Sequence, residues 1–102
     1  MKFFALITSD VSGAAGIRAA KKDLHRMHLD SASGTLAVLQ SGPLLDAGGS
    51  EIGSLIIFKA ESAAQIKIFM DDDPYTKAGL VKDRRIQEWF WRRGNPYLND
   101  GL

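Results

Sequence analysis

The chain has no cysteine and only two histidines, His25 and His28. Thiolate chemistry and Cys-based metal sites are therefore excluded. An imidazole, with an ordinary pKa of ~6.5, can trade a proton near neutrality. The densest acidic run, Asp71-Asp72-Asp73, follows an apolar segment and directly precedes Pro74. If that segment is helical, the negative end of its dipole disfavours carboxylates there, so the run implies a cap or an acid with a task. A carboxylate on one ring nitrogen of a histidine fixes the tautomer and leaves the other nitrogen to act as a base. Such a pair suits proton abstraction beside a carbonyl or from a phenol, the first step of isomerisation and of HX elimination. A simpler account stands beside this one: a surface histidine on an amphipathic helix, and Asp73 as the N-cap of a helix starting at Pro74. A cap uses one carboxylate oxygen, so the two roles are compatible. His25 and His28, at i and i+3, would also fit two ligands of a metal completed by an aspartate. That spacing is common by chance, and no metal is expected. Ser54 lacks the setting of a nucleophile elbow, so acyl transfer is not expected.

The elements that would carry these groups can be read in order. Lys2 to Ser9 is a Phe/Leu/Ile-rich strand. A glycine-bearing loop follows, and Ile17 to Ala32 is a helix stopped by Gly34. Its inward face has two candidates. Periodicity prefers Ile17, Ala20, Leu24, Met27 and Ser31, while Lys21, His25, His28, Leu29 and Ala32 form a second arc. Thr35 to Ser41 reads as a short strand ended by Gly42-Pro43. Asp46 to Ser50 supplies a hairpin loop. Gly53 to Ala60, apolar from Leu55 to Phe58, reads as a central strand buried on both faces. Ser62 and Gln65 have capping-box spacing at the head of a second helix. Asp73-Pro74 starts a short helix closed by Gly79. Lys82 to Arg92 is the last strand. The order β-α-β-β-α-β implies an α+β, ferredoxin-like domain with both helices on one face of an antiparallel sheet. The bare face, with bulky groups such as one of the two tryptophans, then calls for a second sheet and hence a homodimer.

Composition bounds the rest. A chain of 102 residues with 45% hydrophobic and 25% charged residues is one folded domain that buries only about two-thirds of its unfolded surface. The expected division is a domain over 1–92 and a turn-rich tail over 93–102. A net charge of +1 argues against nucleic acid or anionic membrane as partner. The apolar run Phe3–Ile7 is too short for a membrane span or a secretory leader, and a cytoplasmic location is expected. The fold order also occurs in RNA-recognition modules, but Leu55-Ile-Ile-Phe58 lacks their aromatic pattern. Gly48-Gly49 lacks the setting of a phosphate cradle.

From Met1 to about Trp89 the chain resembles the YCII-related (YciI-like) family. The resemblance rests on Phe3-Phe-Ala-Leu-Ile with Ser9-Asp10, Arg18 and His25 at their spacings from Asp10, Gly42-Pro-Leu-Leu-Asp46, Gly53-Ser-Leu55 and, most specifically, Asp72-Asp-Pro-Tyr-Thr-Lys-Ala-Gly-Leu80. It implies a dimeric α+β barrel related in fold to muconolactone isomerases. It also implies a His/Asp site at His25 and Asp73, with Gly42, Pro43, Ser54 and Tyr75 lining the same pocket. Members with an assigned role include a dehydrochlorinase-type activity on a chlorinated hydroxyquinol. Lys22-Asp23-Leu24 stands where many relatives have Arg-Pro shortly before the histidine, and Glu88 stands where many have Pro before the tryptophan. The resemblance favours the second arc of the first helix facing inward, with the helix broken near Lys22.

The sequence thus implies a lyase or isomerase type enzyme, without cofactor, acting on a small cyclic or phenolic substrate. The alternative is a non-catalytic dimeric module that binds a metabolite or protein, a view that admits ring-shaped higher assemblies.

Overall fold

The computed structural model describes residues 2–97. The tail expected over 93–102 is thus described only as far as Tyr97. Seven elements follow in order: β1 (Lys2–Asp10), α1 (Ala15–Asp30), β2 (Ala37–Leu45), β3 (Glu51–Ala60), α2 (Ala63–Asp71), α3 (Pro74–Lys77) and β4 (Val81–Trp89). The strands form one sheet in the order β2-β3-β1-β4, every neighbouring pair antiparallel. The result is a small α+β domain. Among the described residues no helix is long and apolar enough to cross a membrane.

Alternation along the strands builds one core. Phe4, Leu6, Ile56, Phe58 and Ala60 meet Leu29 of α1, Leu36, and Ile66 and Met70 of α2. A smaller cluster of Ala14, Tyr75 and Leu80 sits under the loop into α1. Ser62 caps α2 as expected, its hydroxyl accepting from the Gln65 N–H (3.2 Å), while Gln65 reaches back to the Glu61 N–H (2.9 Å). Gly79, at φ +78°, ends α3 and lets the Leu80 N–H return to the Tyr75 carbonyl (3.1 Å). That return fixes Tyr75 beside the sheet.

Several boundaries differ from the sequence expectations. The second strand does not stop at Ser41; β2 runs through Gly42-Pro43, with Pro43 in register with Ser54. It is an edge strand, where a proline's missing N–H is tolerated. The register shifts between Val38 and Gln40. A one-residue bulge exchanges the two faces of a strand, so past Leu39 it is Ser41 and Pro43 that face the helices. α1 ends at Asp30, ahead of Gly34, with the Ser31 hydroxyl bonded to the His28 carbonyl (2.5 Å). It shows no break near Lys22. β4 ends at Trp89, short of Arg92. Trp91 then turns back, stacked on Trp89 (4.8 Å between centroids) and edge-on to Phe3 (5.6 Å). The Tyr97 hydroxyl donates to the Leu39 carbonyl on β2 (3.2 Å). The chain after β4 thus crosses one end of the sheet face that the helices leave bare. β3 is not buried equally on both sides, because Leu55 stays 37% exposed on that bare face.

Gly53 marks the closest approach of β3 to β1: a Cβ there would lie 2.1 Å from the Thr8 carbonyl oxygen. Gly53→Ala is expected to cost about 1–3 kcal/mol through forced strand separation. Gly16, inside α1 with open space around it, is the contrast. Gly16→Ala is expected to stabilise by about 0.5–1 kcal/mol through helix propensity. Urea denaturation of the two variants reads both signs.

Candidate active site

The inward face of α1 is the second arc, but no break in the helix is needed to turn it. Leu24 and Met27 are 48% and 66% exposed, while Arg18 and Leu29 are buried. The helix buries groups whose partners wait on the sheet and on α2–α3. Arg18 donates through Nε to Asp10 Oδ2 (2.5 Å) and through Nη2 to Asp10 Oδ1 (3.1 Å), the Gly53 carbonyl (2.6 Å) and Ser54 Oγ (3.0 Å). Burial disfavours its charge, but the hydrogen bond and the negative charge of Asp10 outweigh that, and its pKa rises. Ser54 Oγ accepts from Arg18, which leaves the Ser54 hydroxyl hydrogen free to donate elsewhere.

The three aspartates of the acidic corner have three different fates. Asp71 pairs with Arg84 (2.8 Å) and Lys67 (3.0 Å), and those bonds, Arg84 first, hold its carboxyl below the usual range. Asp72 is exposed, 3.7 Å from Lys77. Asp73 is 1% exposed. It occupies the N-cap position before Pro74, yet its side chain makes no cap bond. Only its carbonyl serves the helix, accepting from the Lys77 N–H (2.9 Å). Its Oδ1 lies 2.6 Å from His25 Nδ1.

That contact orients the ring. With Nδ1 held by the carboxylate, the neutral imidazole presents Nε2 as its free lone pair. Tyr75 stacks on the His25 ring at 4.0 Å and 13°, and the Arg18 guanidinium lies 5.1 Å from the Tyr75 ring centre. Burial pushes the Tyr75 phenol above its ordinary pKa, with Arg18 opposing the shift; it stays a neutral phenol at working pH.

These side chains border one cleft of ≈ 170 Å³. His25, Gly42, Pro43, Ser54 and Tyr75 all line it. Asp73 does not; it sits behind the histidine, against a small hollow shared with Thr8, Thr76 and Arg84. Gly42 has open space where a Cβ would project, so no steric need for glycine arises there within the chain. The cleft also takes in Arg18, Lys22, Arg26, Leu29, Ser41 and Glu51, none of which the sequence reading had assigned to the pocket. Arg18, Lys22 and Arg26 lie at i, i+4 and i+8, a signal that was available in the sequence. Ser41 needed the bulge. His28 has a different job from the metal ligand weighed above: its Nε2 is 2.7 Å from the Phe69 carbonyl and its ring stacks on Phe69, tying α1 to α2. Among the described residues no group of three or more His, Cys, Asp or Glu is placed to hold a metal.

Comparison with known proteins bears on the fold and the family. A solved structure of 5-chloro-2-hydroxyhydroquinone dehydrochlorinase (TftG) from Burkholderia phenoliruptrix AC1100, in complex with 2,5-dihydroxybenzoquinone, superimposes with a TM-score of 0.75 at 28% identity, covering 85% of this chain and 92% of that one. PA3566 from Pseudomonas aeruginosa is more distant, with a TM-score of 0.46 at 14% identity over 87% of this chain and 93% of its own. No curated protein sequence matches the chain. The sequence model of the YCII-related domain matches residues 1–90, and the protein belongs to that family.

Proposed function

We infer that the protein is a small-molecule enzyme of lyase or isomerase type, with His25 as base and Asp73 as its orienting partner. The observation that carries this is the buried Asp73 carboxylate, 2.6 Å from His25 Nδ1 and making no cap bond at its own helix. An N-cap carboxylate ordinarily accepts from N–H groups of its own first turn, and this one does not. Here it fixes an imidazole at the edge of a cleft, the geometry of a positioned general base. Nε2 takes a proton from a ring hydroxyl or from carbon beside a carbonyl. The electron pair released shifts into the ring. In an isomerisation, His25 returns the proton to another atom; in an elimination, a leaving group departs with its bonding pair and the proton passes to solvent. Ser54, directed by Arg18, donates to the substrate oxygen that gains charge, and the Gly42-Pro43 backbone flanks it. Tyr75 holds the imidazole plane and walls the cleft. Likeness to a dehydrochlorinase bound to a dihydroxybenzoquinone supports a small cyclic or phenolic substrate.

The strand order β2-β3-β1-β4 with helices after β1 and β3 supports a ferredoxin-like βαββαβ unit. Ile7, Leu55 and Trp89, each 37–38% exposed, lie on the sheet face away from the helices, and Gly42 pairs with Leu55 there. A second copy packed face to face would cover that surface and form a dimeric α+β barrel, the strap from Trp91 to Tyr97 closing one end.

A screen of phenolic and lactone metabolites is expected to find a substrate whose turnover falls about 10²–10⁴-fold in His25→Ala. Asp73→Asn, which keeps the shape but misorients the ring, should lower kcat by a comparable factor. Equal turnover by wild type and His25→Ala would remove the histidine from the reaction. Light scattering should give a dimer for wild type and a monomer for the double variant Ile7→Lys, Leu55→Lys; a monomeric wild type would refute the barrel.

A further inference from the structure

Three cations lie along one face of α1 and reach the cleft: Arg18, Lys22 and Arg26. The structure treats their charges differently. Arg18 is neutralised by Asp10 through two hydrogen bonds. Lys22 forms no ion pair among the described residues, but an acidic side chain, Glu51, lines with it both the cleft and the adjoining hollow beside Ser50 and Tyr75. Arg26 lies at the other end, where the cleft opens into a groove between α1 and β2. Asp30, one turn along the helix, borders the groove too. Among the described residues, however, Arg26 forms neither an ion pair nor a side-chain hydrogen bond. Its neighbours in both hollows are Leu29 and Ser41, an apolar wall and a hydroxyl.

The cleft therefore differs along its length: an oriented imidazole stacked on a phenol in the middle, and a guanidinium without an ion pair at the β2 end. An apolar cavity of about 150 Å³ holds a benzene molecule. The ≈ 170 Å³ here suits one ring with small substituents, and the open groove admits a group projecting from it. A guanidinium presents a planar fork of donors that matches a carboxylate.

We propose that the ligand of this cleft is a monocyclic acid, its carboxylate bound by Arg26 beside Ser41 and its ring hydroxyl facing His25 Nε2. This rests on reading the cleft as the substrate site, and it extends that reading to a ligand class. Arg26 acts as a specificity-determining residue and takes no part in proton transfer.

The test is calorimetric titration of 3- and 4-hydroxybenzoate and of their methyl esters into wild type, Arg26→Ala, Arg26→Glu and His25→Ala. Arg26 is exposed, so its substitution leaves the core intact; circular dichroism checks this. Wild type is expected to bind the acids at least about tenfold more tightly than the esters. The preference should vanish in Arg26→Ala, with ester affinity unchanged, and reverse in Arg26→Glu. It should persist in His25→Ala, because binding is read without turnover; failure of the catalytic role thus leaves the acid preference standing. Equal binding of acids and esters to wild type, survival of the preference in Arg26→Ala, or no binding of either series at ~10 mM would each overturn the proposal.

Discussion

The structure depends on which way α1 is rolled against the sheet. Hydrophobic burial alone would turn Leu24 and Met27 inward. The helix instead commits Arg18, His25 and His28 to the interior side. Burying such groups costs several kcal/mol each unless every one is paired. All three are: Arg18 on Asp10, Gly53 and Ser54, His25 on Asp73, His28 on the Phe69 carbonyl. The partners come from β1, β3, α2 and the turn before α3. The roll of one helix is thus set by acceptors scattered over the whole chain, and the cleft is the space this arrangement leaves beside Leu29 and Ile56.

Backbone devices deliver the acceptors. Gly53 lets β3 approach β1 closely enough for its carbonyl and the Ser54 hydroxyl to meet one guanidinium nitrogen. The bulge at Leu39 exchanges the faces of β2 and brings Ser41 and Pro43 to the cleft. Pro74 holds the chain at the head of α3, so that the Asp73 backbone, at φ −63° and ψ 132°, is still extended, and its carboxylate is engaged by His25 instead of by its own helix. The Tyr97 hydroxyl bonds the bulged Leu39 carbonyl. The last described turn of the chain therefore braces the strand that forms one side of the site.

Local chemistry was legible in the sequence wherever it is decided locally. The Ser62/Gln65 cap, the Asp73-Pro74 start, the Gly79 stop and the Asp46–Ser50 hairpin loop all depend on residues a few positions apart. The roll of α1 was not, because periodicity counts apolar residues and does not see Asp10 or Asp73 waiting across the fold; only family resemblance pointed to the right face. The extension of β2 through Pro43 was missed for a similar reason: whether a proline breaks a strand depends on edge position, which pairing decides. Lys22, Arg26 and Ser41 went unassigned because a surface charge and a bulge-dependent hydroxyl acquire meaning only once the cleft exists.

The same bonds serve stability and chemistry, which shapes how the site can be probed. A side-chain cap at Asp73 would contribute about 1 kcal/mol. Burying the carboxylate costs more than that, and the cost is offset only by a partner held in place by the remainder of the fold. Removing His25 therefore leaves a buried acid without its ring nitrogen, and loss of function could follow from loss of fold. Asparagine at 73 keeps volume and one acceptor oxygen while presenting an N–H₂ that cannot hold the Nδ1 proton in the same way. A substitution that preserves folding and disturbs only the tautomer separates an orienting carboxylate from a structural one. Asparagine caps a helix as well as aspartate does, and no side-chain cap is present at 73, so the substitution leaves the head of α3 unchanged.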